Sequence, residues 1–147
     1  MPPQPRPRPR AAARRAISIC VCLALVAALP LAGAALALPG RTVWLLAAAP
    51  LLEEIVFRAG LQDALLGRPG AQRAEQALAA NVITACAFAA CHLLQRPEAL
   101  GALTVLPALF IGRVYQQGRR LAPCIALHAL FNAIWCLHAG LLTGLLS

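Results

Sequence analysis

Residues 121–146 read LAPCIALHALFNAIWCLHAGLLTGLL, and this stretch decides the class of fold because it has no charged residue over 26 positions. Crossing the ~30 Å hydrocarbon layer of a membrane takes about 20 apolar residues. Two further stretches qualify, since residues 16–38 are uncharged over 23 positions and residues 77–95 over 19. The 147-residue chain is 61% hydrophobic with a mean hydropathy of +0.73, whereas soluble domains are roughly 45–50% apolar. The sequence therefore predicts an all-α protein, a polytopic bundle of transmembrane helices.

Two more stretches bring the expected number of spans to about five. Residues 99–112 give only 14 positions and include Pro107, so they form either a span completed through Tyr115 or a re-entrant segment, and we favour the span. Residues 42–66 are long enough to cross but contain four charged residues, Glu53, Glu54, Arg58 and Asp63. Residues 16–147 are therefore expected to form one helical transmembrane domain.

Arginine supplies all thirteen basic residues, and its placement predicts the orientation of the chain. With five spans and the N-terminus inside, only Arg41 and Arg96 face outward. Ten arginines then face the cytoplasm: Arg6, Arg8, Arg10, Arg14, Arg15, Arg68, Arg73, Arg113, Arg119 and Arg120. This bias satisfies the positive-inside rule and predicts a multi-pass protein of the cell inner membrane with a cytoplasmic N-terminus. Orientation thus explains the net charge of +8, and nucleic acid is not an expected partner.

The N-terminus and the cysteines have simple interpretations. Residues 1–15 are rich in Pro and Arg and predict a disordered cytoplasmic tail. A signal peptide over residues 1–37 is the alternative, but its apolar core would exceed the usual ~7–15 residues. The six cysteines lie in predicted helices without a CxxC pair, which favours apolar packing over a disulfide framework or a zinc knuckle.

The charged residues of the second predicted span are costly in lipid, at about 2.5–3.5 kcal/mol each at a helix centre, so they predict a functional site. Glu54 and Arg58 are spaced i, i+4, which places them on one face of a helix where they can neutralise each other. Glu53 is turned by about 100° from that face and is left free to act. The alternative is that both carboxylates share Arg58 as a structural ion pair.

Two more polar patterns lie in later spans. His92 follows a run of small residues that permits close approach to the glutamate-bearing helix, although a lone histidine there could also be an interfacial or core residue. His128 and Asn132 are spaced i, i+4 and either join helices or point at a cavity where negative charge develops. Because each polar group is less costly when the others and a little water surround it, we expect all of them to converge on one pocket.

The three patterns, EExxxR at Glu53 to Arg58, FxxxH at Phe88 to His92 and HxxxN at His128 to Asn132, occur in the order found in one known family. Over about residues 42–135 the chain resembles the CAAX prenyl protease and bacteriocin-processing (CPBP, Abi) intramembrane proteases. The resemblance implies a glutamic-type endopeptidase that acts on a membrane-anchored protein or peptide in contact with membrane lipid.

The resemblance also implies roles for the residues. Glu53, assisted by His92, would polarise a water for attack on a peptide carbonyl, and His128 and Asn132 would stabilise the oxyanion. Glu54 and Arg58 would hold the first motif in shape. A carboxylate gains basicity in a low-dielectric pocket, which agrees with the role of Glu53.

Several alternatives remain open. Two histidines and a glutamate could ligate zinc, but the chain lacks HExxH, so no metal and no other cofactor is expected. The chain has fewer spans than many family members and is similar to compact bacterial members that process C-terminal sorting tails. A non-catalytic bacteriocin-immunity or accessory protein, or a proton relay through Glu53 and His92, would use the same groups differently.

One feature conflicts with simple threading of the spans. His92 lies about 9 Å outward of its helix centre and His128 about 7 Å inward, at a rise of about 1.5 Å per residue. Helix sliding and tilt would bring the two histidines level. A re-entrant segment at residues 99–112 would also do so, but it would weaken the charge bias, and we therefore favour sliding and tilt.

Overall fold

A computed structural model describes residues 38–67, 73–95 and 99–146, all of which are helical or connect helices. The predicted tail over residues 1–15 and nearly all of the predicted span 16–38 lie outside the described residues. Five helices are named here. Helix α1 covers residues 38–66, α2 is Ala74–Gln95, α3 is Ala99–Leu103, α4 is Val105–Gly118 and α5 is Leu121–Leu146. The all-α prediction is confirmed for the part of the chain that is described.

Helix α1 is continuous but alternates between two hydrogen-bonding patterns. The segments Leu38–Val43, Ala49–Glu54 and Asp63–Leu66 are α-helical, whereas Trp44–Ala48 and Ile55–Gln62 are π-helical. A π-helix is wider than an α-helix, because its hydrogen bonds close over one more residue, and it is frequent at functional sites. Both glutamates therefore lie immediately before a π-helical segment.

Two of the described helices are candidate membrane spans by their length and composition. Helix α2 has a mean hydropathy of 1.8, and the segment Leu121–His138 of α5 has 1.5, and both are long enough to cross a membrane. Helix α4 has 14 residues, which at about 1.5 Å per residue is too short to cross alone. The short helix α3 precedes it, and Thr104 forms the turn between them. The expected total of about five spans stays a prediction.

The helices pack so that α1 and α4 each contact both α2 and α5. Burial of aromatic and small residues holds α1, α2 and α4 together. This core consists of Val56, Phe57, Leu61, Ala85, Phe88 and Ala108. A second core joins α4 to α5 through Ile111, Tyr115 and Cys124. The polar residues of α1 are enclosed between these two cores.

One end of the bundle is closed by a cluster around Arg119. Arg119 has φ = 49° and ends α4 in the left-handed conformation. Its Nη1 donates to the Gly67 carbonyl at 3.1 Å and lies 3.1 Å from Asp63 Oδ1, while the Tyr115 hydroxyl donates to Asp63 Oδ2 at 3.0 Å. We call this end, where Arg73, Arg119 and Arg120 lie, the arginine end.

Candidate functional site

Arg58 is the centre of a buried polar network. Its Nε donates to Glu54 Oε2 at 2.9 Å, and both side chains are fully buried. Its other two nitrogens donate to Gln62 Oε1 at 3.1 Å and to the Ala108 carbonyl of α4 at 3.0 Å. The i, i+4 pair expected from the sequence therefore forms. It also links α1 to α4.

His128 lies between the two glutamates. Its Nδ1 is 2.9 Å from Glu54 Oε1, and its Nε2 is 3.5 Å from Glu53 Oε2. The sequence placed Glu53 apart from Glu54 because consecutive helical residues diverge by about 100°. The structure brings both carboxylates to one imidazole, because the ring reaches between them from α5 and presents a different nitrogen to each.

The contacts of His128 fix where its proton lies. A carboxylate can only accept, so Nδ1 carries the hydrogen that is donated to Glu54. A hydrogen bond to one imidazole nitrogen sets the role of the other. Nε2 therefore faces Glu53, either as an acceptor in the neutral ring or as a second donor in the charged ring.

His92 lies near the end of α2 and is held by its own helix. Its Nδ1 donates to the Phe88 carbonyl at 3.1 Å, and its ring stacks on Phe88 with centroids 4.3 Å apart. Because a carbonyl only accepts, the hydrogen is on Nδ1. Phe88 also meets the edges of His128 at 5.6 Å and Phe57 at 5.0 Å. Phe88 therefore contacts both imidazoles.

Asn132 joins α5 to the first part of α1. Its Nδ2 donates to the Leu45 carbonyl at 2.9 Å, within the first π-helical segment. His128 contacts Glu54, and Asn132 contacts Leu45. An interval of four positions along α5 thus corresponds to an interval of nine positions along α1. His92 and His128 line the same cavity, although their positions along their helices differ. That helix sliding and tilt bring them level stays a prediction.

A cavity of about 60 Å³ lies among these groups, enough for a small number of waters. Side chains from α1, α2, α4 and α5 and from the turn before α4 form its walls. They are Glu54, Arg58, Phe88, His92, Thr104, Pro107, Ala108, Ile111, His128, Phe131 and Asn132. Of the two glutamates, Glu54 lines the cavity. Glu53 is not a lining residue but contacts His128, which is one.

Three residues near the site are not predicted by the sequence analysis. Gln62 Nε2 donates to the Gly112 carbonyl at 3.0 Å, and Asn81 Nδ2 donates to the Leu109 carbonyl at 3.0 Å. Gly112 leaves no room for a side chain, since a Cβ there would overlap Asn81 Oδ1 and lie 2.9 Å from Arg58 Nη1. Of these three, Gln62 could have been predicted, because it continues the spacing of four residues that separates Glu54 from Arg58.

The described residues hold no group of three or more His, Cys, Asp or Glu side chains arranged to bind a metal ion. His128 and the two glutamates are held by one another and by Arg58 instead. That no metal takes part stays a prediction.

Comparison with known families gives one match. A family model described as type II CAAX prenyl endopeptidase Rce1-like matches residues 35–134, which is 100 of the 147 residues. The matched range contains Glu53, Glu54, Arg58, His92, His128 and Asn132. No curated protein and no solved structure shows significant similarity to the chain.

Proposed function

Because the chain belongs to the Rce1-like type II CAAX prenyl endopeptidase family, we propose that it is a glutamic-type intramembrane endopeptidase that cleaves a membrane-anchored protein or peptide. The observation that carries this proposal is the imidazole of His128 between two carboxylates beside a water-sized cavity. A buried ionisable cluster of this kind is energetically costly in a membrane, and its presence therefore supports a functional role.

Charge balance supports a proton-transfer role for Glu53 and His128. Arg58 neutralises Glu54, to which it is bonded. The remaining pair, Glu53 and His128, is neutral when it shares one proton, whether the proton is on the carboxyl group or on Nε2. Moving this proton over a distance of 3.5 Å therefore leaves the net charge of the buried cluster unchanged.

In the proposed reaction Glu53 is the general base. Its carboxylate accepts a proton from water as the hydroxide attacks the peptide carbonyl, and it then gives this proton to the leaving amine as the carbon–nitrogen bond breaks. His92 orients the water, while its Nδ1 donates to the Phe88 carbonyl. His128, charged at this stage, and Asn132 donate to the oxyanion, a type of contact worth about 2.7–4 kcal/mol.

Glu54 and Arg58 act by positioning. Glu54 keeps the proton of His128 on Nδ1 and fixes the plane of the ring, and Arg58 holds the Glu54 carboxylate in place. Asn132 is likewise held by the Leu45 carbonyl, which leaves its second amide hydrogen for the substrate. Each group is therefore restrained before substrate arrives, as efficient catalysis requires.

The test compares membrane-protein termini in cells that carry the wild-type chain, Glu53→Gln or Glu75→Gln. Glu75 is an exposed carboxylate at the start of α2 and provides the matched control. We expect at least one peptide terminus to disappear with Glu53→Gln and to persist with Glu75→Gln, while both variants accumulate in the membrane. An unchanged set of termini with Glu53→Gln would contradict the proposed endopeptidase activity. A non-catalytic accessory protein would then be the better description.

We further propose an inner-membrane location with the arginine end in the cytoplasm. The exposed arginines Arg73, Arg113 and Arg120 lie on the segments nearest that end, and such residues are enriched on the cytoplasmic side.

A further inference from the structure

Hydrogen bonds between helices arrange the bundle in layers that can be followed from the arginine end inward. The first layer joins Asp63 of α1 to Tyr115 and Arg119 at the end of α4. In the same layer Gln116 donates to the Ala77 carbonyl of α2 at 2.6 Å. Three helices are thus tied together before the cavity is reached.

The second layer lies one turn further along α1 and α4. Gln62 donates to the Gly112 carbonyl and Arg58 to the Ala108 carbonyl, both at 3.0 Å. The side chain of Asn81 fills the space beside Gly112 where a Cβ would stand. Arg58 and Ala108 of this layer line the cavity and form its floor on the side of the arginine end.

On α2, α4 and α5 the exposure of the lining residues increases away from this floor. Arg58, Ala108 and Ile111 are 0%, 2% and 3% exposed. The residues that lie furthest from the arginine end along their helices, His92 on α2 and Thr104 before α4, are only half-buried. The open side of the cavity therefore lies toward the end of the bundle that is opposite to the arginine end.

From these layers we infer that the cavity opens toward the extracytoplasmic side of the membrane. If the arginine end is cytoplasmic, substrate and water reach Glu53 and His92 from outside. The inference rests on the proposed function and narrows its substrate class. The substrate is a membrane-anchored protein whose scissile bond lies at the extracytoplasmic end of its anchor, and a lipidated tail presented from the cytoplasm is excluded.

The test determines from which side of the membrane a water-soluble reagent modifies a thiol at the open side of the cavity. Thr104→Cys places a thiol on the cavity wall, and Gln117→Cys places one at the exposed end of α4, next to the arginine end. A small, charged, membrane-impermeant methanethiosulfonate is added to intact spheroplasts or to inverted membrane vesicles. Mass spectrometry then identifies the modified peptide, so the native cysteines can stay in place. Phe110→Cys, exposed on the outer surface of α4, is the lipid-facing control.

We expect Thr104→Cys to be modified in spheroplasts and Gln117→Cys only in inverted vesicles, with Phe110→Cys unmodified in both. Modification of Thr104→Cys only in inverted vesicles, or in neither preparation, would overturn the inference. If Thr104→Cys does not accumulate, Pro107→Cys, which also lines the cavity, carries the same expectation, and its modification from the cytoplasmic side would be equally decisive.

Labelling does not require turnover, so this result is independent of the protease assignment. Glu53→Gln combined with Thr104→Cys should label as Thr104→Cys alone does. If the termini in cells do not depend on Glu53 but labelling is extracytoplasmic, the proposed function fails while the direction of the cavity stands. If termini depend on Glu53 but labelling is cytoplasmic, the direction fails and the protease stands.

Discussion

Replacing Gly112 with alanine should destabilise the protein, although the same change inside a helix normally stabilises it. Gly112 lies in α4 where Asn81 and Arg58 approach its backbone. An added Cβ would overlap Asn81 Oδ1 and would lie 2.9 Å from Arg58 Nη1. Neither side chain can withdraw freely, because Asn81 is bonded to the Leu109 carbonyl and Arg58 to Glu54 and to the Ala108 carbonyl.

Opposing contributions set the size of the effect. Alanine gains about 1 kcal/mol over glycine in a helix interior. Overpacking a tight site costs about 1–3 kcal/mol, and each hydrogen bond that is lost costs a further ~0.5–1.5 kcal/mol. With one or two of the bonds from Asn81 and Arg58 broken, the free energy of unfolding should fall by about 0.5–5 kcal/mol.

The measurement is the midpoint of thermal denaturation of the purified protein in detergent or nanodiscs. Gly118→Ala is the matched control, since a Cβ there would meet only the flexible side chain of Arg120, at 3.7 Å. We expect Gly112→Ala to lower the midpoint by several degrees and Gly118→Ala to leave it unchanged or to raise it slightly. In an Asn81→Ala background the extra loss from Gly112→Ala should be smaller, because the overlapping oxygen is gone. A Gly112→Ala protein as stable as the wild type would refute the close packing of α1, α2 and α4.

Arg58→Met should lower stability by about 3–5 kcal/mol, since it leaves the fully buried Glu54 without its cation. Combining it with Glu54→Gln should recover part of that loss in thermal denaturation, and simple additivity of the two losses would contradict the pairing. Asp63→Asn should cost less than about 1 kcal/mol in the same assay, because the Asp63 and Arg119 side chains are 33% and 20% exposed; a larger loss would show that the pair is more important than its exposure implies. Treatment with a zinc chelator should leave Glu53-dependent cleavage unchanged, and its abolition, restored by added zinc, would favour the metal-dependent alternative.

Spacing within the sequence predicted those parts of the site that depend on a single helix. The interval of four between Glu54 and Arg58 is enough to predict their pair, because both residues belong to one helix and need no tertiary contact. The same interval extends to Gln62. The uncharged length of residues 77–95 likewise identified α2 as a helix that can cross a membrane, as the structure confirms.

Contacts between helices could not be read from spacing. That both carboxylates contact His128 depends on how α5 packs against α1, and this packing involves residues along both helices. The π-helical segments of α1 have no simple sequence signature, yet they change the direction of every side chain after Trp44. Gly112 looked like an ordinary small residue of an apolar helix, since its importance comes from Asn81 and Arg58, which are distant in sequence.

The order in which the polar contacts form has a consequence for biosynthesis. The pair between Glu54 and Arg58 forms within α1, so it can be present as soon as that helix enters the membrane. His128 lies 74 residues after Glu54 in the sequence. Glu53 therefore lacks its imidazole partner until α5 has been synthesised. An isolated charge at a helix centre costs about 2.5–3.5 kcal/mol on insertion scales. If α1 spans the membrane as predicted, its stable insertion is tied to completion of the chain, and a nascent chain that stops before α5 should be a ready target for membrane quality-control proteases.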